Sequence, residues 1–280
     1  MISRVIKLFI STGFWTIDRV RLRFGTRQGK RMPGTCVVLY YHAVTAEQRR
    51  PFARQMDELI RWARPVAATA KSALAPGVHH AAVTFDDGFQ SVIDNALPEL
   101  RQRGIPATIF VPSGYLGRLA EWSDGLRSGD AQTVMTANQL LSLPADLIAI
   151  GSHTISHPDL CLLDEDEARW ELQESRRKLE KLLGQEVTTL SFPYGRYNRA
   201  LVDWSRHAGY KRVFTISPAL AYAQPGEYET GRVAVEPTDW RWEFRLKLLG
   251  AYRWLPGVYG LKSKMRHFIR NTTIGSLFFP

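Results

Sequence analysis

Short apolar runs recur along the middle of the chain, separated by longer stretches in which apolar residues fall three and four positions apart. The runs at 36–41, 81–85, 105–111, 147–150, 188–192 and 211–216 have the length and continuity of strands buried on both faces. Between the first two, Phe52, Met56, Leu59 and Ile60 share one face of a predicted helix over 52–62. A second helix is predicted over 90–103 and stops at Gly104. Asp164 is placed to cap a long charged helix running through Leu183, with Leu172, Leu179, Leu182 and Leu183 on its buried stripe and Gly184 as its stop. Residues 198–208 form a further helix. Strands alternating with helices at this interval predict parallel βα units wound into a wheel. The stretch 114–136, with Trp122 and several glycines, is the longest predicted loop, and at a barrel mouth it could touch a substrate.

Composition bounds this picture without changing it. The 280 residues suffice for one α/β domain of barrel size, and 45% hydrophobic with 23% charged residues excludes disorder and a multi-span membrane protein. The natural division is a basic amphipathic segment 1–31, a catalytic domain 32–240 and a basic aromatic segment 241–280. The two cysteines, Cys36 and Cys161, have neither metal-site spacing nor the number for a disulfide framework.

Charge adds more. The net charge is +10, yet residues 1–31 hold eight Lys/Arg against Asp18, and residues 241–280 hold eight against Glu243, so the middle of the chain is net acidic. Both ends mix their cations with bulky apolar residues, as in Ile6-Lys7-Leu8-Phe9-Ile10 and Trp240-Arg241-Trp242-Glu243-Phe244. That mixture suits contact with an anionic membrane surface. It equally fits two helices packed on the body with solvated arginines. Nucleic acid is not expected, since a phosphate-tracking protein spreads its cations over the folded domain. The longest uncharged stretch near the start, 8–17, is too short to span a bilayer, and no good cleavage site follows it. The expectation is a cytoplasmic protein peripheral on the inner membrane, with export as the alternative.

Candidate chemistry sits directly behind the strand-like runs. Val83-Thr84-Phe85 ends in Asp86-Asp87-Gly88, and Ile148-Ala149-Ile150 leads into Gly151-Ser152-His153-Thr154-Ile155-Ser156-His157-Pro158. Asp-Asp-Gly alone is a turn, and one His-x-x-x-His pair alone is incidental. Both placed at the carboxyl ends of strands describe a metal site, in which a carboxylate and two imidazoles hold one cation and leave room for water. A helical turn would let the two imidazoles face the same ion.

These two motifs, followed by Phe192-Pro193-Tyr194-Gly195, resemble the polysaccharide deacetylase family, also called the NodB-homology or carbohydrate esterase family 4 domain, from about Val37 to about Val235. The resemblance implies a distorted (β/α)7 barrel, here with extra terminal helices, that removes N-acetyl groups from amino sugars of a bacterial polysaccharide or lipid-linked glycan. It also implies one divalent metal, zinc first and cobalt or nickel otherwise. Matched position by position, Asp86 is the family's general base, Asp87 its metal carboxylate and His153 and His157 the remaining ligands. Tyr194 matches the residue whose amide meets the oxyanion, and Pro193 and Tyr194 would border the sugar. Two departures stand out. Ser191 occupies the place of an arginine that orients the base, so that function is missing or supplied elsewhere. No histidine lies between His207 and His267, so the usual leaving-group acid is absent.

Tyr40-Tyr41-His42-Ala43-Val44 resembles the first-strand motif of the poly-N-acetylglucosamine deacetylase branch, which implies His42 as the acid. The alternative is a structural histidine bonded to a loop. His207 looks like a helix end, and His79 and His80 precede a strand on the opposite face. An O-acetyl esterase or a noncatalytic glycan-binding relative remain the competing functions.

Overall fold

The apolar runs do become strands, and their order makes a closed barrel. The computed structural model describes residues 3–27, 33–69, 74–122, 131–224 and 226–258. Its strands are β1 (Thr35–Tyr41), β2 (Arg64–Pro65), β3 (His79–Phe85), β4 (Ala107–Val111), β5 (Ile148–Ser152), β6 (Thr189–Ser191), β7 (Arg212–Thr215) and β8 (Glu229–Ala234). All pairings between them are parallel, in the order β1-β8-β7-β6-β5-β4-β3-β2. β1 also pairs with β3 from Thr35↔His79 to Tyr41↔Phe85, which closes seven strands into a ring. β2 stands outside that ring, bonded only to the lower part of β3, below the point where β4 joins at Val83.

Six of the seven barrel strands lie on predicted runs. The seventh, β8, does not, because Glu-Thr-Gly-Arg-Val-Ala has no apolar run to announce it. The helices are α1 (Arg4–Arg27), α2 (Arg49–Trp62), α3 (Leu97–Arg103), α4 (Ala137–Leu141), α5 (Glu165–Leu183), α6 (Arg199–His207) and α7 (Arg241–Leu248). The helix expected over 90–103 is interrupted. It opens as a π-turn, Val92–Ala96, and becomes α-helical only at Leu97, since Pro98 has no N–H for the Asp94 carbonyl. α5 starts as expected: Asp164 accepts from the Glu167 amide, and the Glu167 side chain bonds back in a capping box. Gly184 ends it in the left-handed conformation, φ 66°.

Alternation along the strands creates two cores. Val37, Leu39, Tyr41, Ala81, Val83, Phe85, Ile109 and Val111 face outward and pack beneath the helices. The inward positions Cys36, Val38, Ala82, Phe110 and Phe214 form a separate, smaller cluster. Gly151 is fixed by that interior: a Cβ there would stand 2.5 Å from the Phe110 ring. Above the two phenylalanines the inner wall turns polar, with Thr84, Asp86, Ser191 and Arg232 all buried. Both cysteines are free, Cys36 buried and Cys161 exposed. Of the terminal segments, residues 1–2, 28–31 and 259–280 lie outside the described residues, as do 123–130 of the predicted mouth loop.

Candidate active site

Each chemically active side chain follows a strand end whose backbone is still tied to its neighbour. The Asp86 amide donates to the Tyr41 carbonyl at 2.9 Å, and the His153 amide to that of Val111 at 3.0 Å. Both side chains are thus positioned by the sheet, at the carboxyl ends of its strands. Past these points the chain turns sharply, with φ of 68° at Asp87, 68° at Thr154, 58° at His157 and 56° at Tyr194. Only one other non-glycine residue among those described, Tyr222, has positive φ. Such backbone costs about 1–3 kcal/mol per residue and collects where geometry is imposed by function.

The histidine segment brings its two rings together without the helical turn that would have done so. Residues 153–159 contain no helix, and His157 is brought round instead by the left-handed residues Thr154 and His157. Buried Glu171 of α5 holds this segment, accepting from the Ile155 amide (2.7 Å), the Ser156 amide (3.1 Å) and the Ser156 hydroxyl. Ser175, one turn further along α5, donates to the Thr154 carbonyl at 2.7 Å. Neither partner was legible in the sequence, where both look like ordinary residues of a charged helix.

Asp87, His153 and His157 converge, with ligand atoms all within 4.8 Å of one another. Asp87 Oδ1 lies 3.2 Å from His157 Nε2 and 3.5 Å from His153 Nε2. One carboxylate with two imidazoles is a donor set that borderline divalent cations take. The tautomer fits as well: His153 Nδ1–H donates to the Ser191 carbonyl at 2.8 Å, which leaves the Nε2 lone pair facing Asp87. Burial pushes the His153 pKa down to about 4, outweighing nearby Asp86, so the ring is neutral at neutral pH. His157 is set by rings rather than hydrogen bonds. It stacks on Trp122 at 4.4 Å and meets the edges of His153 and Tyr194 at 4.8 and 4.7 Å. Its buried Nδ1 has no partner among the described residues.

Asp86 has a different neighbourhood. Arg232 of β8, fully buried, grips both its oxygens, Nη1 to Oδ1 at 2.7 Å and Nη2 to Oδ2 at 2.8 Å. The same guanidinium donates to Ser191 Oγ at 2.7 Å and to Thr84 Oγ1 at 3.2 Å, and lies 4.6 Å from the centre of the Tyr40 ring. Burial alone would raise the Asp86 carboxyl, but Arg232, helped by His153, holds it well below the usual carboxylate range. The arginine that Ser191 displaces is therefore supplied from elsewhere. Ser191 makes room for it and bonds to both partners, donating to Asp86 Oδ2 at 3.3 Å. The only signal in the sequence was an arginine in the otherwise small and apolar Gly231-Arg232-Val233-Ala234.

These groups form the floor of a cavity of about 600 Å³ whose wall includes Tyr40, His42, Phe89, Trp122, Tyr194 and Ile216. His42 is solvent-exposed on that wall, 5.7 Å from the Tyr40 ring and on the same rim as Asp86. Tyr194, half exposed, projects at the mouth. Pro193 differs from expectation: it is buried as the first residue of a 3-10 turn and is not among the cavity-lining residues, so it shapes the Tyr194 turn instead. Trp122 enters from the predicted mouth loop and donates to Asp87 Oδ1 at 3.1 Å. His79 sits at the opposite end of the barrel, bonded to Thr35 Oγ1 and the Leu248 carbonyl, and His207 ends α6.

Known proteins are similar to this chain in sequence and in fold. YxkH of Bacillus subtilis, provisionally named a polysaccharide deacetylase, is 30% identical over 155 residues, 55% of this chain and 51% of YxkH. The peptidoglycan-N-acetylglucosamine deacetylase of Bacillus cereus is 29% identical over 125 residues, 44% of this chain and 39% of its own. The chain thus spans about half the length of the first relative and less of the second. Among solved structures, IcaB from Ammonifex degensii superposes with a TM-score of 0.62 at 26% identity, covering 80% of this chain and all of that one. The polysaccharide deacetylase family model matches residues 74–213, a span that holds Asp86, Asp87, both histidines and Tyr194. With half its length matched and a closed seven-stranded barrel carrying those residues at its mouth, the chain belongs to the polysaccharide deacetylase family.

Proposed function

We propose that this protein is a hydrolase that removes N-acetyl groups from amino sugars of a glycan, working with one divalent cation. The observation that carries this is the placement of a buried, ionised Asp86 beside the Asp87, His153 and His157 cluster on the floor of an open cavity. The named activity of the Bacillus cereus relative supports the N-acetylglucosamine class of substrate.

Asp87, His153 and His157 would hold the cation, with zinc first and cobalt or nickel as alternatives from the nitrogen and oxygen donors. When bound it would polarise an acetamide carbonyl and lower the pKa of a water to about 7. Asp86 takes up the proton of the attacking water. Because Arg232 keeps this carboxylate ionised, it is a weak but always available acceptor, suited to a water that is already acidified. Arg232 and Ser191 fix its orientation, holding both oxygens so that the carboxylate does not rotate away. The Tyr194 amide, on its left-handed turn, is assigned to the developing oxyanion. His42, across the cavity, is assigned to protonate the departing amine. Trp122, Phe89, Tyr40 and Tyr194 give the wall flat apolar faces of the kind that pack on sugar rings.

The noncatalytic alternative rested on Ser191 in the place of the orienting arginine and on the missing C-terminal histidine; Arg232 answers the first, and His42 is the candidate for the second. Acetate release from N-acetylglucosamine oligomers, with zinc, cobalt or nickel added, tests the proposal alongside matched O-acetylated sugars. Wild type should release acetate from the N-acetyl substrate, and Asp86→Asn and His153→Ala should not. Turnover retained in both variants would sink the mechanism, and turnover of the O-acetyl substrate alone would make the protein an esterase.

A further inference from the structure

Helix α1 carries apolar side chains on both its inner and its outer face. Its inner face packs Leu8 and Trp15 on the core and adds polar contacts: the Trp254 indole donates to Ser11 Oγ at 2.9 Å, the Trp242 indole to Thr12 Oγ1 at 3.2 Å, and Arg253 pairs with Asp18. Arg4 Nε reaches Glu243 at 2.6 Å, and Trp15 meets the edge of Trp242 at 5.5 Å. The outer face carries Val5, Ile6, Phe9, Ile10, Ile17 and Val20, all exposed, with Phe9 at 74%. Positions 6, 9, 10, 13, 17 and 20 are spaced three and four apart, so the aliphatics form one stripe with Gly13 at its centre. Lys7, Arg19 and Arg21 border it.

The aliphatics displayed on this outer face gain nothing from the hydrophobic effect in free solution. We propose that the outer face of α1 beds in the surface of an anionic lipid bilayer, with the stripe among the acyl-chain ends and Lys7, Arg19 and Arg21 on lipid phosphates. Charge argues for this occupant over two others. A second copy docking through the same face would bring like cations together. The chain's own residues 259–280 carry Lys262, Lys264, Arg266 and Arg270 and no acid, so they are repelled from that border as well. No helix among the described residues is long and apolar enough to cross a membrane.

The placement of α1 orients the catalytic mouth. Its first turn contacts Thr238 and Asp239, just past the carboxyl end of β8, while Arg19 and Arg21 line a cavity of about 320 Å³ with Thr35 and His79 at the opposite end of the barrel. The helix therefore runs the flank of the barrel from rim to base. With that flank on the bilayer, the mouth opens sideways along the membrane surface.

Co-sedimentation of the full chain with vesicles tests this. Wild type should bind phosphatidylglycerol–phosphatidylcholine vesicles at least tenfold more tightly than phosphatidylcholine alone, with the preference weakened by salt. Phe9→Glu with Ile17→Glu should lose at least tenfold of that binding while its circular dichroism and melting match wild type. Ile6→Gln with Ile10→Gln gives an independent reading should the first variant not fold. Wild type left in the supernatant, or equal sedimentation of wild type and folded variants, overturns the proposal. A concentration-dependent dimer that the variants dissolve, with no vesicle binding, gives the face to a second copy and overturns it too.

Discussion

The inner and outer surfaces of the barrel wall are built by opposite rules. Outside, alternate residues of each strand join a large apolar cluster under the helices, where Tyr41, Phe52 and Phe85 pack ring against ring at 5.3 to 6.0 Å. Inside, a small apolar plug gives way to a buried ion pair with its hydroxyl partners. The outer surface drives folding through area removed from water. The inner one spends stability, since desolvating Asp86 and Arg232 is costly even when they are paired. A protein keeps such a pair where an oriented charge is needed, and this one sits at the floor of the cavity.

Asp86→Asn should give the largest functional loss, about 10² to 10⁴-fold in kcat, measured as acetate release under saturating metal. Arg232→Met should lower stability by about 3–5 kcal/mol at neutral pH in urea unfolding, because it strands a buried carboxylate. In wild type the depressed Asp86 pKa contributes stability that is present above the ordinary carboxylate range and lost only as pH falls through the lowered value. In Arg232→Met, burial acts unopposed by that cation and lets Asp86 take up a proton at higher pH. The stability gap between the two proteins should therefore narrow on acidification from pH 7 towards 4, and a constant gap would show that the pair is not the source.

On the outer surface, Phe52→Ala should cost about 3–5 kcal/mol of stability through the cavity it leaves, with kcat of the folded protein unchanged. If Phe52→Ala lowered kcat as far as Asp86→Asn does, the distinction between the two surfaces would collapse. Glu171→Gln probes the boundary, since it loosens the histidine segment without touching a ligand. Metal affinity by chelator competition should fall about 10 to 100-fold. The smallest effect separates the cysteines: burial pushes the Cys36 thiol up to about 12, so a thiol reagent at pH 8 should label only Cys161.

Much of this contrast was legible in the chain. Continuous apolar runs marked six strands because buried parallel strands need apolar residues on both faces, and Asp86-Asp87 and His153 stood out because they end such runs abruptly. β8 was not legible, since its interior position is filled by an arginine and its neighbours are small. Nor was Glu171, whose partners are backbone amides that any sequence supplies. The way the two histidines meet was not legible either, because spacing alone does not distinguish a helix turn from a left-handed one.

By itself the sequence determined the alternation of strands and helices, the helix caps at Asp164 and Gly184, and Asp87, His153 and His157 as the candidate metal ligands, since each depends on local pattern or on neighbours in the chain. Only the tertiary structure decided that Arg232, from the last strand, pairs with Asp86 beside Ser191, and that the aliphatic stripe of α1 faces outward. Both are matters of which elements lie side by side once the ring closes. Closure brings β8 beside β1 and carries Arg232 to Asp86 across the barrel interior, a proximity that no spacing along the chain records.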